Sequence, residues 1–387
     1  MKRVVALIWR VILLFLSMIV FLFSVGTVIP AFPVVGSVAN IVTVGFLHLW
    51  LPLCIALVLL SLFPAVRRGG KTAYRLALVF SCISLAATIL FLNGNAAVLK
   101  QHGVRPNVFL SKEDVSSVTV ESFPYTESEY GDVYLNVYHS EDGKTGKPVM
   151  IYIHGGGWIQ GSREDHSYYS RAFARHGYVV FSVDYDLSSP ERHLAETTER
   201  QITEAFAWVK NHAPEFDADI TRLYVTGGSA GGNLALELSY KINAGIYQTA
   251  ADGTALPAVK AVSVTFPVAS VESFYRNNDP VLGGTAFKMA SSYTECSPEE
   301  NPALFESLEP IHFITPDAPA TSILVGATDT LVPPDATYEL DEALERNSIA
   351  HQTIVIPYAN HIFDMVDGNM MNSAYLQLSL GWFDRFS

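Results

Sequence analysis

Acidic residues are missing from the first 100 positions of this 387-residue chain, although the whole chain holds 38 Asp and Glu. Charge of either sign is missing from Val11 to Val66. Cysteine is scarce as well: Cys54 and Cys82 lie in apolar runs, leaving Cys296 as the only thiol in the acidic remainder. A single thiol excludes a disulfide within that remainder, and no Cys/His cluster has the spacing of zinc ligands. A core of this size stands without such staples, so the scarcity of cysteine does not fix the compartment. Residues 1–100 hold eight Lys and Arg, so the other 287 residues carry 17 basic and 38 acidic groups, a net of −21. A surface that acidic repels phosphate backbones and argues against nucleic acid as a partner.

What fills the first hundred residues is apolar. A helix needs about 20 apolar residues to cross the hydrocarbon of a bilayer. The uncharged run is therefore long enough for two spans, expected near 11–29 and 41–63, with "GTVIPAFPVVG" (Gly26–Gly36) as the turn between them. "LALVFSCISLAATILFL" (Leu76–Leu92) predicts a third, near 74–96. Basic residues precede the first span and gather between the second and third (Arg67, Arg68, Lys71, Arg75). By the positive-inside rule both clusters face the cytoplasm, which puts everything beyond about Lys100 outside. A cleaved signal peptide explains the first run but not the other two. The expected organisation is a membrane region over 1–100, a linker over 101–114 and a catalytic domain over 115–387, in a multi-pass cell-membrane protein whose partner is the lipid bilayer.

Past residue 113 the texture changes. "VTVESFPY" and "DVYLNVYHS" alternate like an antiparallel pair. Short, nearly continuous apolar runs follow: "PVMIYIHGGG", "YVVFSVDY", "RLYVTGGS", "VKAVSVTFP", "TSILVGATD" and "HQTIVIPYANH". Such runs suit strands covered on both faces. Helical periodicity appears at Glu196–Asn211, Gly232–Ala244, Pro334–Asn347 and Asn372–Phe386. Strands alternating with helices predict an α/β domain with a mostly parallel sheet and an antiparallel start. In such sheets ligands bind beyond the carboxyl ends of the strands.

The unusual residues gather at those ends. "YVTGGSAGG" fits G-x-S-x-G, with Ser229 after a strand and at the start of a helix. A serine there sits on a sharp turn whose neighbours, Gly227, Gly231 and Gly232, are pressed too close for β-carbons. Its hydroxyl is a weak nucleophile until a base takes its proton, and the oxyanion that forms needs donors already in place. "YIHGGGWIQGS" supplies donors: the amides of Gly156 and Gly157, with that of Ala230, form the expected oxyanion hole. A phosphate-cradling loop would want Lys and Ser or Thr after its glycines, and Trp158-Ile159-Gln160 provides neither. His154 precedes the glycines and is read as a brace. His361, just past the last strand, is the expected base, and Asp329, past the strand before, the expected acid. Asp335 and Asp364 are weaker alternatives for the acid. The order Ser229, Asp329, His361 is that of nucleophile, acid and base in α/β-hydrolases.

These segments, HGGGW, GGSAGG, TDTLVPP and the final NH, resemble a serine esterase of the α/β-hydrolase superfamily, of the hormone-sensitive-lipase-like or acetyl/feruloyl-esterase type. The resemblance covers roughly 115–387. It implies an α/β-hydrolase fold and hydrolysis of carboxylic esters through an acyl-enzyme, with short acyl or aryl esters, including acetyl or feruloyl groups on glycans, as substrates. It calls for no cofactor and no metal. An acyltransferase or a peptidase would use the same residues, and a non-catalytic binding module would share the fold. Two departures stand out. The chain has GGSAGG where relatives have GDSAGG, and "DYDLSSPER" (Asp184–Arg192) where they have a DYRLAPE-like segment. The stretch 271–305, with Phe274, Tyr275, Phe287, Met289, Tyr293 and Phe305, reads either as a lid lining a pocket or as plain packing.

Overall fold

The computed structural model describes residues 2–29, 33–67, 72–277 and 283–387. The chain divides into two compact units. One holds Met1–Lys112 with the short segments Gly326–Thr330 and Val355–Ala374; the other holds Glu113–Val325, Leu331–Ile354 and Tyr375–Ser387.

The first unit is built on four helices: α1 (Lys2–Val28), α2 (Pro33–Gly45), α3 (Leu47–Arg67) and α4 (Thr72–Gln101). Their faces are inverted relative to a water-soluble bundle. Leu7, Val11, Phe15, Leu22, Leu59, Leu60, Ile83 and Leu90 are exposed, whereas Ser17, Ser24, Thr27, Ser81 and Thr88 are buried. The buried hydroxyls find one another. Ser81 donates to Ser17 at 3.0 Å, Trp50 Nε1–H donates to Ser24 at 3.0 Å, and Thr27 and Thr43 share a 2.8 Å bond. Small hydroxyl residues between helices and apolar residues outside are the pattern of helices packed in lipid. The pairs Ser17–Ser81 and Ser24–Thr88 advance together, so α1 and α4 run in the same direction.

Val4–Val28 and Thr72–Gln101 are long and apolar enough to cross a membrane. The expected straight span at 41–63 is instead a bent pair, Val35–Gly45 and Leu47–Leu62, at 99°. The break coincides with a long-range tie. The carbonyl of Gly45 accepts from Asn369 Nδ2 at 3.0 Å. The helix then restarts on the carbonyl of Phe46, which takes the amides of Leu49 and Trp50. The turn expected between the first two spans includes Pro30–Phe32, and the basic loop before α4 includes Arg68 and Lys71; these lie outside the described residues.

The sheet has eight strands: β1 (Val118–Ser128), β2 (Gly131–Ser140), β3 (Lys147–Ile153), β4 (Val179–Val183), β5 (Ala218–Gly228), β6 (Ala261–Thr265), β7 (Ala320–Gly326) and β8 (His351–Ile356), in the order β1-β2-β4-β3-β5-β6-β7-β8. β1 and β2 pair antiparallel, β2 meets β4 antiparallel, and β3 through β7 are parallel. The amide of Thr321 bonds the carbonyl of Ala350 and that of Ala327 bonds Ile356; both partners advance together, so β8 is parallel too. Among the described residues, eight helices accompany the strands: α5 (Ser167–Arg175), α6 (Ala195–His212), α7 (Ala230–Asn243), α8 (Val271–Arg276), α9 (Thr285–Thr294), α10 (Pro302–Ser307), α11 (Asp335–Arg346) and α12 (Met370–Arg385). Every residue of β4, β6 and β7 is buried, as strands covered on both faces must be. Of these helices, α5, α8, α9 and α10 have no counterpart in the sequence reading; at nine, six, ten and six residues their periodicity is too brief to register.

Candidate active site

Ser229 connects β5 directly to α7 with φ 55° and ψ −123°, a conformation that a side chain tolerates only when its surroundings enforce it. Three backbone bonds do so. Its amide donates to the Thr265 carbonyl at 3.1 Å, and its own carbonyl accepts from Asn233 and Val268. The glycines around it are steric requirements: a β-carbon on Gly227 would stand 2.5 Å from the Gly231 carbonyl oxygen, and one on Gly231 would stand 2.2 Å from that of Ile153. The four-glycine knot is thus the crossing point of β3, β5 and the first turn of α7.

The other glycine loop, after β3, runs against this elbow. A β-carbon on Gly155 would meet the Gly228 carbonyl at 2.7 Å and Ser229 Cβ at 3.4 Å. Gly156, Gly157 and Trp158 follow with φ of 107°, 61° and 60°, a left-handed run that turns the chain sharply. Trp158 anchors the turn, fully buried and stacked on Tyr293 at 4.4 Å. Ala230, the first residue of α7, is buried. Ser229, Gly156, Gly157 and Ala230 all belong to the second unit, with Ser229 at the N-terminus of α7, where the helix dipole favours negative charge.

His154 is buried against Tyr185, their rings stacked at 4.2 Å, with Nδ1 2.8 Å from the Gly155 carbonyl. Tyr185 also donates its hydroxyl to the His154 carbonyl at 3.0 Å. Burial pushes the His154 pKa down, which keeps the ring neutral at the base of the loop. In the segment where the chain departs from its relatives, Asp184 pairs with Arg163, while Asp186 exchanges two bonds with Gln201, at 2.9 and 2.8 Å.

Asp329 and His361 meet in the other unit. His361 Nδ1 is 2.7 Å from Asp329 Oδ2, and both residues are buried. Their two loops are knitted together. The Ala359 carbonyl takes the amide and hydroxyl of Thr328, and Asn360 Oδ1 accepts the amides of His361 at 2.7 Å and Thr330 at 3.0 Å. A β-carbon on Gly326 would lie 2.3 Å from the Ala359 carbonyl, so the loops approach to backbone contact. Asp335 instead opens α11. Asn360 entered the sequence reading only as part of the final NH, with no role of its own. Its only signal is its place immediately before His361.

In the stretch 271–305, Phe274, Tyr293 and Phe305 are buried in the core, whereas Phe287 is exposed. Met289 on α9 reaches the glycine loop, its sulfur 2.3 Å from where a Gly157 β-carbon would be. Residues 278–282 of this stretch lie outside the described residues.

A parallel sheet with a strained serine elbow after β5 and a buried histidine–carboxylate pair beyond β8 and β7 makes this an α/β-hydrolase fold. Solved structures share it. Esterase B from Lactobacillus rhamnosis superimposes with a TM-score of 0.58 at 22% identity, over 78% of this chain and 94% of that one. The bacterial heroin esterase gives 0.59 at 20%, over 76% and 91%. The BD-FAE family model matches residues 135–344, more than half of the chain, and the chain belongs to that family. It is 27% identical to esterase LipQ of Mycobacterium tuberculosis over 237 residues, 60% of this chain and 54% of that protein. It is 28% identical to esterase LipC of the same organism over 254 residues, 62% and 60%. The chain thus spans somewhat more than half the length of these relatives.

Proposed function

We propose that this chain is a membrane-anchored serine carboxylesterase, with residues 1–100 as the membrane region and 115–387 as the catalytic domain. One observation carries the reading: Ser229 is held at a strained strand-to-helix elbow, with Gly155, the first glycine of the loop after β3, packed so closely that a β-carbon there would touch it. Such an elbow costs about 1–3 kcal/mol and persists where it serves a site. Here it exposes an oxygen nucleophile at a helix N-terminus, next to glycine amides.

In the proposed reaction Ser229 Oγ attacks the ester carbonyl while His361 Nε2 takes the hydroxyl proton. The negative charge forming on the carbonyl oxygen is received by the amides of Gly156, Gly157 and Ala230. Collapse of that intermediate breaks the bond to the alcohol, which leaves with the proton from His361. Water, deprotonated by the same imidazole, then releases the acid and regenerates Ser229. Asp329 holds Nδ1–H of His361, which fixes Nε2 as the basic nitrogen and stabilises the imidazolium. None of these steps draws on a cofactor.

The likeness of HGGGW and GGSAGG to the acetyl and feruloyl esterase type supports short acyl or aryl esters, including those on glycans, as substrates. LipQ and LipC are named esterases, which agrees with the reaction class. The basic residues before the first span and between the second and third support a catalytic domain that faces away from the cytoplasm.

The test uses the full chain in membranes, with p-nitrophenyl esters of increasing acyl length and a fluorophosphonate probe. We expect labelling and turnover that vanish in Ser229→Ala, with the highest turnover on the shortest acyl groups. Turnover that survives Ser229→Ala, or a wild-type chain with none, would overturn the esterase reading. A peak at long chains would redirect the substrate class to lipids. Accessibility of Cys296 to an impermeant thiol reagent reads the orientation.

A further inference from the structure

The loop that carries His361 is tied to the membrane helices by a residue no esterase chemistry requires. Asn95 lies near the end of α4, fully buried in the uncharged run before Lys100. Its Oδ1 accepts the backbone amide of Tyr358 at 3.1 Å, three residues before His361. Its Nδ2 has no hydrogen-bond partner among the described residues. An amide in such a place costs free energy unless bonded, so the bond to Tyr358 gives this side chain its role. The preceding residue, Gly94, brings the helix backbone against the Tyr358 ring: a β-carbon there would lie 2.7 Å from Cε2.

The same loop is held at two further points on the helices. Asn360 Nδ2 reaches the Ser37 carbonyl of α2 at 3.5 Å, and Asn369 Nδ2 bonds Gly45 at the helix break. Between these ties, Asn360 fixes the His361 amide and the Asp329 loop together. The backbone from Tyr358 to His361 is therefore suspended between α4, α2 and the Asp329 loop.

We infer that Asn95 is a positioning residue for the proposed base: α4 sets the place of the His361 imidazole through the Tyr358 amide. This rests on the esterase reading. It assigns the membrane helices a part in catalysis beyond anchoring. Removing the acceptor releases the Tyr358 end of the loop, and a displacement of about 1 Å in a catalytic group costs up to about 100-fold in rate.

The experiment measures kcat and KM on p-nitrophenyl acetate for the full-length chain in nanodiscs, with thermal melting as a folding control. In Asn95→Ala we expect kcat to fall by about tenfold or more while KM stays within about twofold. Asn95→Asp keeps the shape and an acceptor oxygen and restores most of kcat, since Nδ2 does no work. Ser81→Ala removes a bond to Ser17 in the same bundle and should retain wild-type kcat. Gly94→Ala raises helix propensity, so it folds, yet pushes Tyr358 off the helix and lowers kcat.

Wild-type kcat in Asn95→Ala overturns the inference, and so does an equal loss in Ser81→Ala, which would mark general loosening of the bundle. If Asn95→Ala does not fold, an unchanged kcat in Gly94→Ala overturns it. Activity abolished in Ser229→Ala but intact in Asn95→Ala sinks this inference and leaves the esterase reading standing. Activity that survives Ser229→Ala sinks the reading itself.

Discussion

His361 Nδ1 lies 2.7 Å from Asp329 Oδ2, with both residues sealed from solvent and both loops locked by Asn360. A carboxylate so placed fixes which imidazole nitrogen carries the proton. Asp329→Asn offers Oδ1 or Nδ2 instead and lets the ring take the wrong tautomer. We expect kcat on p-nitrophenyl acetate to fall by about 10³–10⁴-fold with little change in KM. Comparable activity in the variant would remove Asp329 from the mechanism.

Gly231→Ala and Gly177→Ala make a matched pair. The first puts a β-carbon 2.2 Å from the Ile153 carbonyl and 2.4 Å from that of His154, with only backbone to yield. The second sits at φ 95° with nothing within 4 Å. Gly177→Ala should cost about 1–3 kcal/mol of local strain and leave turnover intact. Gly231→Ala should abolish activity and lower the soluble yield from detergent, because the elbow cannot close. Expression level and fluorophosphonate labelling of the two variants decide it.

Lys241 lies buried between Glu199 and Glu237, at 3.0 and 2.5 Å, and Tyr247 bonds the same Glu199. Lys241→Met takes the cation from between Glu199 and Glu237, whose carboxyl burial already pushes up. A buried pair broken from one side costs about 3–5 kcal/mol, so melting temperature should drop sharply. Adding Glu199→Gln and Glu237→Gln to that variant should recover most of the loss. A melting curve for Lys241→Met that matches wild type would show the network to be idle.

Burial raises the carboxyl of Glu309 to about 7, even though the Glu272 amide and Ser270 hydroxyl bond it and oppose the rise. The unfolded chain releases this proton near 4.5. Between these values the folded state holds the proton more tightly, so stability falls as pH rises from about 4.5 to 7, by roughly 3 kcal/mol. Glu309→Gln retains an acceptor oxygen and does not titrate. The variant should match wild type near pH 4 and exceed it at pH 8. Equal melting temperatures at pH 8 would refute the assignment.

The sequence by itself determined whatever depends on near neighbours. A chain without charge from Val11 to Val66 has no soluble way to bury that surface, and strand runs as apolar as "AVSVT" have to be covered on both sides. The glycines around Ser229 were readable because each answers a clash within the elbow or with the adjoining strand. Tertiary structure alone decided which polar groups meet. Three carboxylates past β7 stood as partners for His361, and the 2.7 Å bond comes from Asp329. Asn95 is one of two amides in an uncharged run, undistinguished from Asn93 until the chain returns 263 residues later and lays the Tyr358 amide against it. The bend at Gly45 likewise rests on Asn369, 324 residues away. Periodicity and side-chain volume are local and leave their mark in the sequence. A single hydrogen bond closing so long a loop leaves none, because any amide or carboxylate of the same reach would spell it equally well.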